Sequence, residues 1–282
     1  MTKLCIYHRN CLDGFTSAYI FNKFHKQYRN FIEFHAVNYA DKDIPNVKDK
    51  DVFILDFSYK RNILIEMAKQ ANSIVILDHH KTAQEDLDNL NLSNVEVIFD
   101  LNRSGAILTW DYFYPNEEAP LIIRHCQDYD LWLFKLENTK AIAVALYSIG
   151  FDIDFNDWDN IILDINKLII EGQTLLRDKL KNCNQMVKHP QKLKILNYII
   201  PAINCNPIFS SDVGNMLSLT APFAATYCIN QDFQVQFSLR SNKENTNWIN
   251  VSEIAKQFSG GGHQCASGFS CSMAQLLEFI NG

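Results

Sequence analysis

Ile74-Val75-Ile76-Leu77-Asp78-His79-His80 runs through four consecutive apolar residues, three of them β-branched, and stops on an acid and two imidazoles. An unbroken apolar run of this length, without alternation, reads as a strand buried on both faces. The same design recurs on either side. Leu4 to Tyr7 is a short apolar run with His8 at its end, Val52 to Leu55 ends at Asp56, and Val95 to Phe99 ends at Asp100. Phe34 to Tyr39 reads as a further strand, and helical patterns lie over Gly14 to about Tyr28 and over residues 60–71. Strands alternating with helices predict an α/β fold with a parallel sheet covered on both faces. In such sheets the ligand crevice lies beyond the carboxyl ends of the strands. His8, Asp56, Asp78 and His79 can therefore be gathered into one place from distant parts of the chain.

Residues 104–149 read mainly as helices, and a long amphipathic pattern from Trp158 to about Lys188 includes Ile161, Ile162, Ile165, Leu168, Ile169, Leu175, Leu176 and Leu180. After His189-Pro190 the character changes: 193–203, 223–229 and 233–240 are strand-like and 251–258 helical. The organisation expected is a domain over 1–150, a helical linker over 151–189 and a smaller α/β domain over 190–282.

Composition narrows the function. With 282 residues, 47% hydrophobic and 21% charged, the chain can bury a substantial core. No apolar run approaches the ~20 residues of a membrane span, and the stretch Met1 to His8 is too short and polar for a signal peptide; a cytoplasmic protein is expected. The eight cysteines form no Cys-x-x-Cys pair, which argues against a zinc knuckle, and read as reduced, mostly core residues. The formal net charge of −6, with only a modest basic cluster (Lys23, His25, Lys26, Arg29), argues against tight binding to long duplexes. A short nucleotide held in a pocket remains compatible.

Five clusters bear chemistry. In His8-Arg9-Asn10-Cys11-Leu12-Asp13-Gly14 a histidine and an aspartate flank a strand–helix turn; Asp13 as a plain helix cap is an equal reading. Asp56 alone is more often a cap than a ligand. In Asp78-His79-His80 an acid beside paired imidazoles after a buried strand is hard to explain by packing, because imidazole binds metal through one nitrogen while a carboxylate fixes the other. Asp128-Tyr129-Asp130 offers two carboxylates beside aromatic residues, or simply a helix end with solvated acids. Finally, Gly260-Gly261-Gly262-His263 allows backbone N–H groups to approach an anion, with His263 and Arg240 as added donors; a flexible turn and a surface arginine are the plain alternatives.

Taken in order, these clusters resemble the DHH phosphoesterase superfamily over most of the chain, with Asp78-His79-His80 as the naming motif and Gly260-Gly261-Gly262-His263 like the signature of the DHH-associated C-terminal domain. The resemblance implies a two-ion site, usually Mn²⁺ with Mg²⁺ as an alternative. His8, Asp13, Asp56, His79 and Asp130 would be ligands, Asp56 bridging both ions. Asp78 would mainly orient His79, and His80 would face the substrate phosphate. Asp130 is preferred to Asp128 because Asp130-Leu131-Trp132-Leu133-Phe134 is similar to the family's aspartate followed four residues on by phenylalanine. Arg103 and Ser104 sit where relatives contact substrate, and Arg240, Gly261, Gly262 and His263 would hold it from the C-terminal domain. The chain departs from the pattern at Asn10 and Cys11, where many relatives carry aspartates; Asn10 could ligate through its carbonyl oxygen without bringing charge.

The implied chemistry is hydrolysis by a water activated between two cations. The leading expectation is a phosphodiesterase on short single-stranded oligonucleotides that releases mononucleotides. Phosphoanhydride hydrolysis, cyclic dinucleotide cleavage and a non-catalytic nucleotide-binding module are the alternatives. A homodimer is compatible with the resemblance.

Overall fold

The structure, a computed structural model, describes residues 2–39, 41 and 43–281; Met1, Ala40, Lys42 and Gly282 lie outside the described residues. The chain divides into two units, Met1–Leu176 and Arg177–Gly282.

The first unit opens with β1 (Lys3–His8), α1 (Leu12–Phe24), β2 (Ile32–Val37), β3 (Asp51–Leu55), α2 (Arg61–Ala68), β4 (Ser73–Asp78), α3 (Lys81–Asp86) and β5 (Val95–Phe99). The five strands form one parallel sheet in the order β2-β1-β3-β4-β5. Successive strand residues point to opposite faces, and here both faces are buried. Cys5, Phe53, Leu55, Val75 and Leu77 join a core with Phe15, Ala18, Ile107, Trp110 and Trp158. Leu4, Ile6, Val52, Ile54, Ile74 and Ile76 join a second with Leu64, Met67 and Leu87. This double burial is why the strands read as continuous apolar runs.

The unit continues with α4 (Gly105–Phe113), α5 (Leu121–Asp130), α6 (Thr139–Ile149), α7 (Phe155–Ile162) and α8 (Ile165–Met186), the last running past the division between the units. The single amphipathic helix expected from Trp158 is thus two helices. Leu163 and Asp164 separate them, and Asp164 accepts a hydrogen bond from the Lys167 N–H (3.0 Å), satisfying an open donor at the start of α8.

In the second unit β6 (Gln191–Ile195), β7 (Tyr198–Asn204), α9 (Ser210–Ser218), β8 (Ala224–Ile229), β9 (Val235–Arg240), α10 (Val251–Lys256), β10 (Gly261–Gly262), β11 (Ala266–Cys271) and α11 (Met273–Asn281) build a mixed six-stranded sheet ordered β10-β11-β9-β8-β7-β6. Only β7 and β8 pair in parallel. The apolar stretch 193–203, expected as one strand, is a hairpin of β6 and β7. Leu196 makes its two-residue turn at φ 53°, a conformation such turns ordinarily reserve for Gly, Asn or Asp. All eight cysteines are free thiols, five of them buried. No helix among the described residues is long and apolar enough to cross a membrane.

Candidate metal centre

Parallel pairing sets the positions first. Tyr7 lies opposite Leu55 and Leu55 opposite Leu77, so His8, Asp56 and Asp78 follow at the same end of three neighbouring strands. α1 begins immediately after β1 and brings Asp13 back over that end. The return is tight: a Cβ on Gly14 would lie 2.3 Å from the His8 carbonyl oxygen. Asp130 arrives from the last residue of α5.

The side chains converge on the His79 ring. Its Nε2 lies 3.2 Å from Asp56 Oδ1, 3.4 Å from Asp130 Oδ2 and 3.7 Å from Asp13 Oδ2. The other Asp56 oxygen, Oδ2, faces His8 Nδ1 at 3.5 Å. Asp56 therefore presents one oxygen to each imidazole. Its backbone takes φ 53°, a left-handed conformation costing roughly 1–2 kcal/mol for a residue with a side chain. Gly105 makes room for it, since a Cβ there would lie 2.6 Å from Asp56 Cβ and 3.0 Å from Asp13 Oδ2.

Three carboxylates around one ring nitrogen cannot all be satisfied by the single proton that nitrogen carries. The titration of the cluster shows the strain. Burial, with Asp56 and Asp130 alongside, pushes the Asp13 carboxyl well above the ordinary carboxylate range. Burial alone would raise Asp56 as well, but the hydrogen bond from His79 and the attraction of His8 hold it well below that range. Burial opposes charge on His79, yet Asp130, Asp56 and Asp13 together drive its pKa well upward. His8 Nδ1 and Asp56 Oδ2 are buried without a hydrogen-bond partner. Buried acceptors crowded together and partly unsatisfied are what a divalent cation would neutralise. Two overlapping groups have ligand atoms mutually within 4.8 Å: Asp13, His79 and Asp130 in one, and His8, Cys11 and Asp56 in the other. Oxygen and imidazole donors of this kind fit divalent ions.

Asp78 is fully buried and saturated. Oδ1 accepts from the backbone N–H groups of His79 (2.7 Å) and His80 (3.2 Å) and lies 2.7 Å from His80 Nδ1, while Oδ2 accepts from the Ser58 hydroxyl (2.7 Å). It thus fixes the His79 main chain and the His80 ring. Burial works against charge on His80, but the Asp78 carboxylate outweighs it and raises the His80 pKa.

Asp128 and Asp130 separate cleanly. Asp128 turns away from His79 and accepts from the N–H groups of Lys135 (2.8 Å) and Leu136 (3.1 Å) and from the Thr139 hydroxyl (2.6 Å). Ser104 is fully buried, its hydroxyl accepting from the Ile107 N–H (3.3 Å) at the start of α4. The next two N–H groups, of Gly105 and Ala106, donate to Asp13 at 2.6 and 2.9 Å. Arg103 pairs with Asp111. Asn10 is exposed, at φ 56°, and it is Cys11 that lies against the cluster. Cys11 and Gly105 are the residues of this region to which the sequence reading gave no role. The close steric fit of Gly105 has no local signature, and the thiol's neighbours come from other strands.

Within the second unit, Arg240 pairs with Ala266 across β9 and β11, and Gly262 pairs with Ser267 across β10 and β11. Arg240 and the Gly261-Gly262-His263 segment therefore flank β11 at one end of the sheet. The Arg240 guanidinium donates to Ser238 Oγ (2.9 Å), the Leu239 carbonyl (2.9 Å) and Ser211 Oγ (2.8 Å). Gly262 has φ 132°, and a Cβ there would lie 2.6 Å from the Ala266 carbonyl oxygen.

No family model matches the chain. Over 296 residues it is 34% identical to an uncharacterized protein of Acanthamoeba polyphaga mimivirus, an alignment covering 95% of this chain and 67% of that one. Over 233 residues it is 25% identical to the oligoribonuclease NrnB of Bacillus subtilis, covering 73% of this chain and 55% of that one. In fold it is similar to RecJ of Thermus thermophilus in complex with Mn²⁺ (TM-score 0.54, 12% identity, 98% of this chain and 50% of that one). It is likewise similar to the pGpG-specific phosphodiesterase PggH of Vibrio cholerae (TM-score 0.53, 14% identity, 99% and 96%). The chain belongs to the DHH phosphoesterase superfamily. In this DHH protein the name-giving triplet is Asp78-His79-His80, placed at the end of β4 with its first two members buried. The DHH chain spans about two thirds and about half the length of the two sequence relatives.

Proposed function

We propose that this protein is a divalent-metal-dependent phosphodiesterase that cuts short single-stranded oligonucleotides and releases mononucleotides. The observation that carries the reading is the meeting of Asp13, Asp56 and Asp130 with His8 and His79, Asp56 offering one oxygen to each imidazole. That geometry suits two ions sharing a carboxylate. Asp13, His79 and Asp130 would hold one and His8 the other, with Asp56 between them. Such a pair of ions, manganese or magnesium, supplies a water of lowered pKa and neutralises charge on the phosphoryl oxygens.

The protein's own groups do the rest. Asp78 holds the His80 ring through Nδ1 and keeps it cationic, so that Nε2–H can donate to a phosphoryl oxygen as charge grows there. Ser104 fixes the start of α4, whose N–H groups pin Asp13 in its ligand rotamer. Arg103 is assigned to substrate phosphate, exchanging Asp111 for it. In the second unit Arg240, Gly261, Gly262 and His263 are assigned to phosphate on the same chemistry of close N–H groups and a guanidinium. The preference for short substrates rests on the charge of −6 and on the kinship with an oligoribonuclease. A cytoplasmic setting is part of the same reading.

The test is a panel of substrates with Mn²⁺: di- to pentanucleotides, a long single strand, a cyclic dinucleotide, a 3′,5′-bisphosphonucleoside and pyrophosphate. Short oligonucleotides should turn over fastest, to mononucleotides. Predominant hydrolysis of pyrophosphate would move the protein to the phosphoanhydride class, and binding without turnover of any substrate would make it a binding module. His79→Ala should remain folded and lose more than the roughly 10–100-fold that removing an outer-sphere partner costs.

A further inference from the structure

The two groups of ligand atoms differ in one respect that the reading above leaves unused. Around His79 the donors are oxygen and nitrogen alone, whereas beside His8 and Asp56 lies the Cys11 sulfur. Cys11 is the residue before α1, where a side chain ordinarily caps the helix by accepting from one of its first N–H groups. Cys11 makes no such capping bond. It is half-buried rather than sunk in a core. Asn10 beside it turns the chain at φ 56° and is itself exposed. The sulfur shares its neighbourhood with Asp56 Oδ2, which is buried and has no hydrogen-bond partner. The other thiol of the region, Cys126, is already engaged, donating to Asp13 Oδ1 at 3.4 Å.

We propose that Cys11 is a ligand, binding as thiolate to the ion held by His8 and Asp56, so that the two ion positions of this protein have different chemistry. The inference rests on the two-ion reading given above. As the sulfur–metal bond forms, the thiol proton passes to solvent and the sulfur contributes the bonding electron pair, so no oxidant or reductant is involved. The position at His79, with carboxylates and one imidazole, accepts hard ions. The position at Cys11 favours softer ions such as cobalt, iron(II) or zinc, and magnesium fills it poorly. A metal preparation with one kind of ion would then occupy the two positions unequally.

Cobalt(II) tests this, because a thiolate ligand gives it a charge-transfer absorption in the near ultraviolet that oxygen and imidazole ligands do not. The full chain is reduced, stripped with chelator and titrated with cobalt(II), and bound cobalt is counted by elemental analysis. The band should rise with bound cobalt in the wild type and in Cys126→Ser. It should be lost in Cys11→Ser and Cys11→Asp while cobalt still binds. Bound cobalt without the band in the wild type, or a band that survives Cys11→Ser, overturns the inference and leaves the two-ion reading standing. Absence of bound cobalt removes both. If the variants fail to fold by circular dichroism, brief alkylation of the wild type followed by peptide mapping decides. Cys11 should be labelled in the stripped protein and shielded once cobalt is bound, and equal labelling overturns the inference.

Discussion

Asp128 and Asp130 stand two residues apart with the same charge, and the structure gives them unrelated work. Three donors from the segment after α5 surround Asp128, and that segment bends through positive φ at Trp132, Phe134 and Asn138. Burial would raise the Asp128 carboxyl, but the hydroxyl of Thr139 and the N–H groups of Lys135 and Leu136 hold it below the ordinary carboxylate value. Asp128→Asn keeps the shape and loses one acceptor, which should cost about 1–3 kcal/mol of stability near pH 7. A folded pKa below the unfolded value of about 3.9 means the carboxylate's stabilisation is present above that value and fades as pH falls through the depressed one. The gap between urea midpoints of wild type and variant should therefore narrow between about pH 7 and about pH 3; a gap that stays constant would show that the charge contributes nothing. At this scale the sequence was partly legible. The apolar strands ending on His8, Asp56 and Asp78 showed where a site would gather. The local sequence could not distinguish Asp128 from Asp130, because the donors that claim Asp128 lie seven to eleven residues downstream. Cys11 was opaque for a similar reason: Asp56, which gives it chemical context, is on another strand.

The element that tightens the centre is α4. Its first N–H groups hold Asp13 at the positive end of the helix, and its first residue, Gly105, touches Asp56. Gly105→Ala sets two effects against each other. Alanine improves helix propensity by up to about 1 kcal/mol. The new methyl would lie 2.6 Å from Asp56 Cβ and 3.0 Å from Asp56 Cα, an overlap that costs about 1–3 kcal/mol in a packed interior. The clash should prevail. The variant should melt lower and bind Mn²⁺ more weakly, read by thermal unfolding with and without the ion; unchanged melting and affinity would show that the contact is soft. The helix boundaries were less legible than the strands. The apolar spacing runs on across Leu163-Asp164, so only the polar bond from Asp164 to the Lys167 N–H marks the start of α8. Leu196 hides the β6–β7 turn because leucine is a residue that turns at positive φ seldom use.

For the molecule as a whole, the charge of −6 and the absence of a long basic run in the sequence limit how many phosphates can be neutralised at once. Single-stranded ligands lose affinity with a log–log salt slope of about −0.7 per phosphate contacted. A trinucleotide gripped at its two internal phosphates should give a slope no steeper than about −1.4 by fluorescence anisotropy at several salt concentrations. A much steeper slope for longer strands would require a cationic track that the sequence does not display.

The wide scatter of the centre's ligands along the chain also has a consequence during synthesis. His8 emerges from the ribosome early, but Asp56 and His79 come decades of residues later and Asp130 only with the end of α5. No short fragment holds enough donors to capture an ion. Uptake of metal must therefore wait until β1, β3, β4 and α5 have all docked, and the ion then locks the finished assembly, adding stability by mass action in proportion to the logarithm of its free concentration. In a cell, the availability of manganese would then govern the lifetime of this protein as well as its rate.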